Sequence, residues 1–125
     1  METPQIEFWK GQIGKDDTDR NTYDGFELVC TNGVLIHINP ENYDQIILEM
    51  HRCSSRYIMG FEYYSETLME VNYRGNEGYL WKTDFSKEFT KGFPDLNLSY
   101  KQLYPYKSAA EIGNVDCVYL LEKTI

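Results

Sequence analysis

The dipeptide Asn32-Gly33 lies between two runs of branched and aromatic residues, and it restricts the local fold more than any other feature of the chain. Both residues tolerate the positive φ angles of a type I′ turn, so residues 26–38 are expected to form a β-hairpin. On the second arm, Val34, Ile36 and Ile38 would share one face and Leu35 and His37 the other.

Asn39-Pro40 follows as an N-cap with proline at the first helical position, and Glu41 and Asp44 stand near the positive end of the coming helix. Tyr43, Ile46, Ile47 and Met50 recur at helical spacing, which predicts a helix to about Cys53 with one buried stripe. Glu41, Asn42, Gln45 and Glu49 would then face solvent.

Further strands are expected at residues 6–13, 57–64, 68–73 and 79–83, and a last one buried on both faces at 116–123. Residues 15–25 read as an acidic surface loop. Between 84 and 114 no period persists past Gly92, Pro94 and Pro105, which predicts short helical turns and loops. The sum is an α+β domain over residues 1–125. It has an antiparallel β-sheet of about five to seven strands, one main amphipathic helix on it, and short helical turns in the C-terminal third.

A chain of 125 residues with 42% hydrophobic side chains can bury a real core. No basic segment precedes an apolar run at the start, and no stretch reaches the length of a membrane helix, so no membrane contact and a cytoplasmic location are expected. Three cysteines, Cys30, Cys53 and Cys117, suit free buried thiols in a reducing compartment.

The net charge of −8 disfavours a protein that tracks a nucleic-acid backbone, because phosphate contacts need clustered Lys and Arg. The surplus is uneven: residues 1–70 carry thirteen acidic and five basic side chains, and the remainder carries seven of each.

Motifs with chemical content are scarce. Asp17, Asp19 and Asn21 imitate the start of a calcium loop, but Thr22 replaces its glycine and Leu28 its closing glutamate. Cys30, His37, His51, Cys53 and Cys117 have no zinc-ligand spacing, so neither a metal nor another cofactor is expected. No local motif pairs a cysteine nucleophile with a histidine base. Glu62, Glu66 and Glu70 fit strand and turn positions as well as they fit an active site. Glycine-rich phosphate loops and the G-x-S-x-G elbow are both missing from the sequence.

Eleven tyrosines are the compositional outlier. Tyrosine supplies rigid contact area with a polar tip at binding surfaces, and consecutive Tyr63-Tyr64 must face opposite ways on a strand. A small, acidic, tyrosine-rich chain with no catalytic motif resembles, in composition alone, bacterial immunity proteins and phage anti-defence proteins. That resemblance implies a non-enzymatic inhibitor that occludes a basic protein partner, such as a toxin, nuclease or defence protein.

The partner surface would comprise Asp16, Asp17, Asp19, Asp24, Glu41, Asp44, Glu62, Tyr64 and Glu66. The alternative is a small-molecule or nucleotide-binding module, with Trp81 stacking on a ring and Arg56 or Arg74 meeting an anion. A small hydrolase is the third reading, and a homo-oligomer is compatible with each.

Overall fold

The computed structural model describes residues 25–107 and 114–124. The expected strand at 6–13, most of the acidic loop, and Asp16, Asp17, Asp19 and Asp24 lie outside the described residues. Within them the chain runs β1 (Phe26–Asn32), α1 (Tyr43–Cys53), β2 (Ser54–Tyr63), β3 (Met69–Tyr73), β4 (Asn76–Lys82), α2 (Phe85–Gly92), β5 (Leu96–Pro105) and β6 (Val115–Lys123).

The main sheet has the order β1-β2-β6-β5 and is mixed. β1 and β2 are parallel, from Leu28 opposite Tyr57 to Asn32 opposite Phe61. β6 is antiparallel to both β2 and β5. β3 and β4 form a separate two-stranded antiparallel sheet. The expectation of an antiparallel sheet with one main helix is therefore corrected. A β1-α1-β2 crossover of the α/β kind organises the fold, and a second helix, α2, packs beside the first.

The correction begins at Asn32-Gly33. Only Gly33 takes a positive φ, 65°, so the two-residue I′ turn does not form. The Gly33 amide donates to the Phe61 carbonyl at 2.9 Å, extending the parallel ladder instead. Residues after it wind into a short 3₁₀ turn, Leu35–His37, which sends Leu35 and Ile36 into the core rather than along a second strand arm. The I′ geometry occurs elsewhere, at Arg74-Gly75 between β3 and β4, with φ of 52° and 80°.

α1 begins as expected from its capping residues. The Asn39 side chain accepts from the Glu41 amide at 3.1 Å, and a 3₁₀ turn, Pro40–Asn42, leads into the helix. The helix ends at Cys53 and β2 starts at the next residue, which brings the chain directly back beside β1. Tyr43, Ile47 and Met50 are buried as the spacing requires, but Glu49 is buried too, its carboxylate 2.9 Å from Arg52 Nε.

Residues 84–114 contain more order than short turns and loops. α2 buries Phe85 and Phe89, and β5 is a ten-residue edge strand. A register shift between Leu98 and Tyr100 breaks the alternation of β5, and only Leu96 of its residues is buried, so no period was available to announce it.

The core gathers Leu35, Ile36, Tyr43, Ile47, Met50, Ile58, Phe85, Phe89, Tyr119 and Leu121 between the two helices and the main sheet. Of the cysteines, Cys53 and Cys117 are buried and Cys30 is exposed, and all three are free thiols. No helix among the described residues is long and apolar enough to cross a membrane.

Candidate functional site

In an open sheet with parallel strands, ligands collect outside the carboxyl ends of those strands. Here that edge is formed by the end of β1, the end of β2 and the chain that clasps β2. The Tyr64 amide donates to the Val115 carbonyl at 2.7 Å, and Tyr64 makes an isolated bridge with Thr83. The last residues of β2 are thus held between the end of β4 and the start of β6.

Strand alternation sends Glu62 and Tyr63 to opposite faces. On the helix-covered face, Glu62 is 2% exposed. It accepts from Thr31 Oγ1 at 2.8 Å and from the Val34 and Ile36 amides, both at 3.3 Å. Burial raises its carboxyl pKa above the ordinary value despite these donors.

The hydroxyls of Tyr43 and Tyr119 are buried nearby without a hydrogen-bond partner among the described residues. Burial, then the negative charges of Glu88 and Glu62, push the Tyr43 phenol up to about 12.

Tyr64 lies under a cation. Lys101 Nζ sits 5.3 Å from the centre of its ring and 2.7 Å from Asp84 Oδ2. Asp84 caps α2, accepting from the Lys87 amide at 3.3 Å and from Ser86 Oγ at 2.6 Å. Burial would raise its pKa, but the bonds from Lys101, Ser86 and Lys87 outweigh it and hold the carboxyl below its ordinary value.

Tyr63 carries a second cation. Lys82 Nζ is 5.3 Å from the Tyr63 ring centre and donates to Asn114 Oδ1. Burial lowers the Lys82 amine below its ordinary pKa, and no carboxylate pairs with it among the described residues. Tyr106 stands 6.0 Å from Tyr63, ring to ring. Partial burial, then hydrogen bonds to Asp116 and Tyr63, keep its phenol well above the usual range. The end of β2 therefore presents two consecutive aromatic rings on opposite faces, each beneath a lysine, Tyr63 with Tyr106 and Asn114 beside it and Tyr64 with Asp84. Such a set can stack on and hydrogen-bond a planar polar molecule.

The residues expected to meet a partner or a ligand are scattered. Glu41 and Glu66 are exposed, and Asp44 is exposed at the rim of a groove of about 390 Å³ between α1 and α2. Glu62 is internal, and Tyr64 is half-buried. Arg56 opens β2, where its guanidinium meets Glu122 at 3.0 Å and stacks over Tyr57. Arg74 is in the β3–β4 turn, and Trp81 is buried on β4. Those three occupy separate places.

Lys82, Lys101, Asp84 and Tyr106 were missed. Their signal lay in the topology rather than in any local pattern. Burial raises the thiol pKa of Cys117, the reverse of an activated nucleophile. No cluster of His, Cys, Asp and Glu that could hold a metal ion occurs among the described residues.

No family model and no curated protein matches the chain. Solved structures with the same kind of fold do match, and two of them are methyltransferases. One is a SAM-dependent methyltransferase from Methanosarcina mazei, with a TM-score of 0.60 and 12% identity over 82% of this chain and 61% of that one. Another is the 1,6-didemethyltoxoflavin-N1-methyltransferase of Burkholderia thailandensis with bound 1,6-didemethyltoxoflavin and S-adenosylhomocysteine. It has a TM-score of 0.62 and 14% identity over 79% of this chain and 44% of that one.

At these identities the likeness establishes a shared fold, and the chain spans only about half to three fifths of each neighbour's length. It overturns the expectation of a non-enzymatic, immunity-protein-like or anti-defence-like inhibitor, because these solved structures that share the fold are methyltransferases. The methyl donor of these neighbours does not fit the connection that follows β1. The strand-to-helix connection after β1 has Gly33 as its one glycine, and its backbone amides from Gly33 to Ile38 already have acceptors within the chain.

Proposed function

We propose that the chain is a small-molecule-binding unit of the methyltransferase type, and that it takes the acceptor rather than the donor. Its ligand is a planar polar or anionic ring bound at the carboxyl end of β2. The observation that carries this reading is the pair of lysines, Lys82 and Lys101, held 5.3 Å over the consecutive rings of Tyr63 and Tyr64. Because the two tyrosines face opposite sides of the strand, a ring bearing carbonyl or anionic oxygens would meet one cation and its tyrosine, either Lys82 with Tyr63 or Lys101 with Tyr64. The Burkholderia neighbour, which holds 1,6-didemethyltoxoflavin, supports the choice of a small-molecule ligand. We also place the protein in the cytoplasm, a reading supported by its three free thiols.

The test is a thermal-shift and NMR titration with planar nitrogen heterocycles that bear carbonyl or carboxylate groups. A ligand at about one hundred times its Kd stabilises the folded state by about 2.7 kcal/mol, which is readable as a higher melting temperature. Either Lys82→Met or Tyr64→Ala is expected to abolish the shift, according to the side of the strand that the ligand occupies. A panel that moves neither the melting temperature nor the Tyr63 and Tyr64 resonances would refute the proposal.

A further inference from the structure

We infer that Glu62 closes the carboxyl end of the β1–β2 pair to the methyl donor by filling, from inside the chain, the amide cradle that a ligand would need there. The inference deepens the small-molecule reading above, because it states which ligand the connection after β1 excludes and leaves the tyrosines at the end of β2 for another.

Ligands that carry phosphate or carboxylate groups approach a parallel sheet through the loop that follows a strand. Free backbone amides receive the anion there, and glycines let the backbone come close. In this chain the amides from Gly33 to Ile38 are engaged. The Gly33 amide donates to the Phe61 carbonyl at 2.9 Å. The Val34 amide donates to Glu62 Oε2 and the Ile36 amide to Oε1, and the Leu35 amide supports the same carboxylate. The His37 and Ile38 amides donate to the Val34 and Leu35 carbonyls at 3.1 and 3.0 Å.

Thr31 Oγ1 adds a side-chain donor from the end of β1, so both carboxylate oxygens are occupied. Leu35 and Ile36, 1% and 5% exposed, fill the space that glycines would leave open. An incoming adenosyl amino acid would have to displace a carboxylate that is 2% exposed, together with two core side chains. Glu62 is thus a positioning residue that occupies the amides of this connection.

The test follows the backbone resonances of Gly33–Ile36 in the intact chain. S-adenosylhomocysteine, added to millimolar concentration, is expected to leave them unmoved. Amide hydrogen exchange is then compared in Glu62→Gln, which keeps the size of the side chain and removes its charge. Exchange at Val34 and Ile36 is expected to accelerate about tenfold or more relative to the core amides of β6, as loss of a charge-assisted hydrogen bond requires. If Glu62→Gln does not fold, Thr31→Val removes one donor and is expected to accelerate the same amides by a smaller factor.

Saturable shifts at Gly33–Ile36 with S-adenosylhomocysteine, or unchanged exchange in the variant that folds, would overturn the inference. Neither result depends on whether a heterocycle binds at Tyr63 and Tyr64, so the two readings fail separately.

Discussion

Gly60 and Tyr119 face each other across the β2–β6 ladder, and the phenolic end of the Tyr119 ring occupies the space where a β-carbon at position 60 would stand. The missing side chain on β2 is what lets a fully buried tyrosine lie flat against the sheet and reach Phe89 of α2. Gly60→Ala is therefore expected to destabilise the fold by about 1 to 3 kcal/mol through overpacking. Urea unfolding at neutral pH checks this, and an unchanged midpoint would mean that the ring is free to move aside.

The hydroxyl of the same tyrosine has no hydrogen-bond partner among the described residues, although the residue is only 1% exposed. A buried polar group left unpaired costs free energy, so Tyr119→Phe should be neutral or stabilising, by up to about 1 kcal/mol. Tyr119→Ala should cost about 3 to 5 kcal/mol, because it empties the centre of the core. A stability loss in the phenylalanine variant comparable to that in the alanine variant would show that the hydroxyl is bonded after all.

Glu62 gives the protein an unusual pH response. Its folded pKa lies above the ordinary glutamate value of 4.5, because burial outweighs the donors around it. The folded state therefore holds this proton more tightly than the unfolded state does. The associated stability is complete below pH 4.5 and is lost as pH rises through the folded pKa. The difference in unfolding free energy between the parent chain and Glu62→Gln should consequently favour the parent more at pH 4 than at pH 7. Taking the difference removes the other carboxylates, and a difference that is flat with pH would place the Glu62 titration at its ordinary value.

Parts of this arrangement were legible in the sequence for identifiable reasons. α1 announced itself through Asn39-Pro40 and the Tyr43-Ile47-Met50 spacing, because capping and amphipathicity are local. β6 did so through an unbroken apolar run at the centre of the sheet.

The parallel pairing of β1 with β2 was hidden. Asn32-Gly33 favours a tight turn, and only the long-range bond from Gly33 to Phe61 selects the crossover instead. The true I′ turn carries Arg at its first central position, where sequence preference points away from a positive φ. The candidate site was invisible for a related reason. Lys82 and Lys101 come from strands far apart in the chain, and each meets its tyrosine only once β2 has been clasped between β4 and β6. Glu62 read as a surface acid because a single glutamate in an aromatic run has no local mark of burial.

Asp84 links that site to the fold, and its removal should separate two roles. The carboxylate caps α2 through the Lys87 amide and Ser86 Oγ, and it pairs with Lys101 at 2.7 Å. Asp84→Asn keeps a capping oxygen and loses the charge. Asp84→Ala loses both and leaves the Lys101 ammonium without this partner above Tyr64. The expected cost at pH 7 is about 1 kcal/mol for asparagine and about 2 to 3 kcal/mol for alanine, the difference being the worth of an N-cap. The pH dependence has the opposite sign to that of Glu62. The folded pKa of Asp84 lies below the ordinary 3.8, so its stabilisation is present above that value and disappears as pH falls through the folded pKa. At pH 3 and below, the parent should approach the asparagine variant, while the alanine variant remains weaker by the cap alone. Urea midpoints of the three chains at pH 7 and at low pH check the order. Equal midpoints for asparagine and alanine at both pH values would show that Asp84 acts only through Lys101 and that α2 is held by its packing of Phe85 and Phe89.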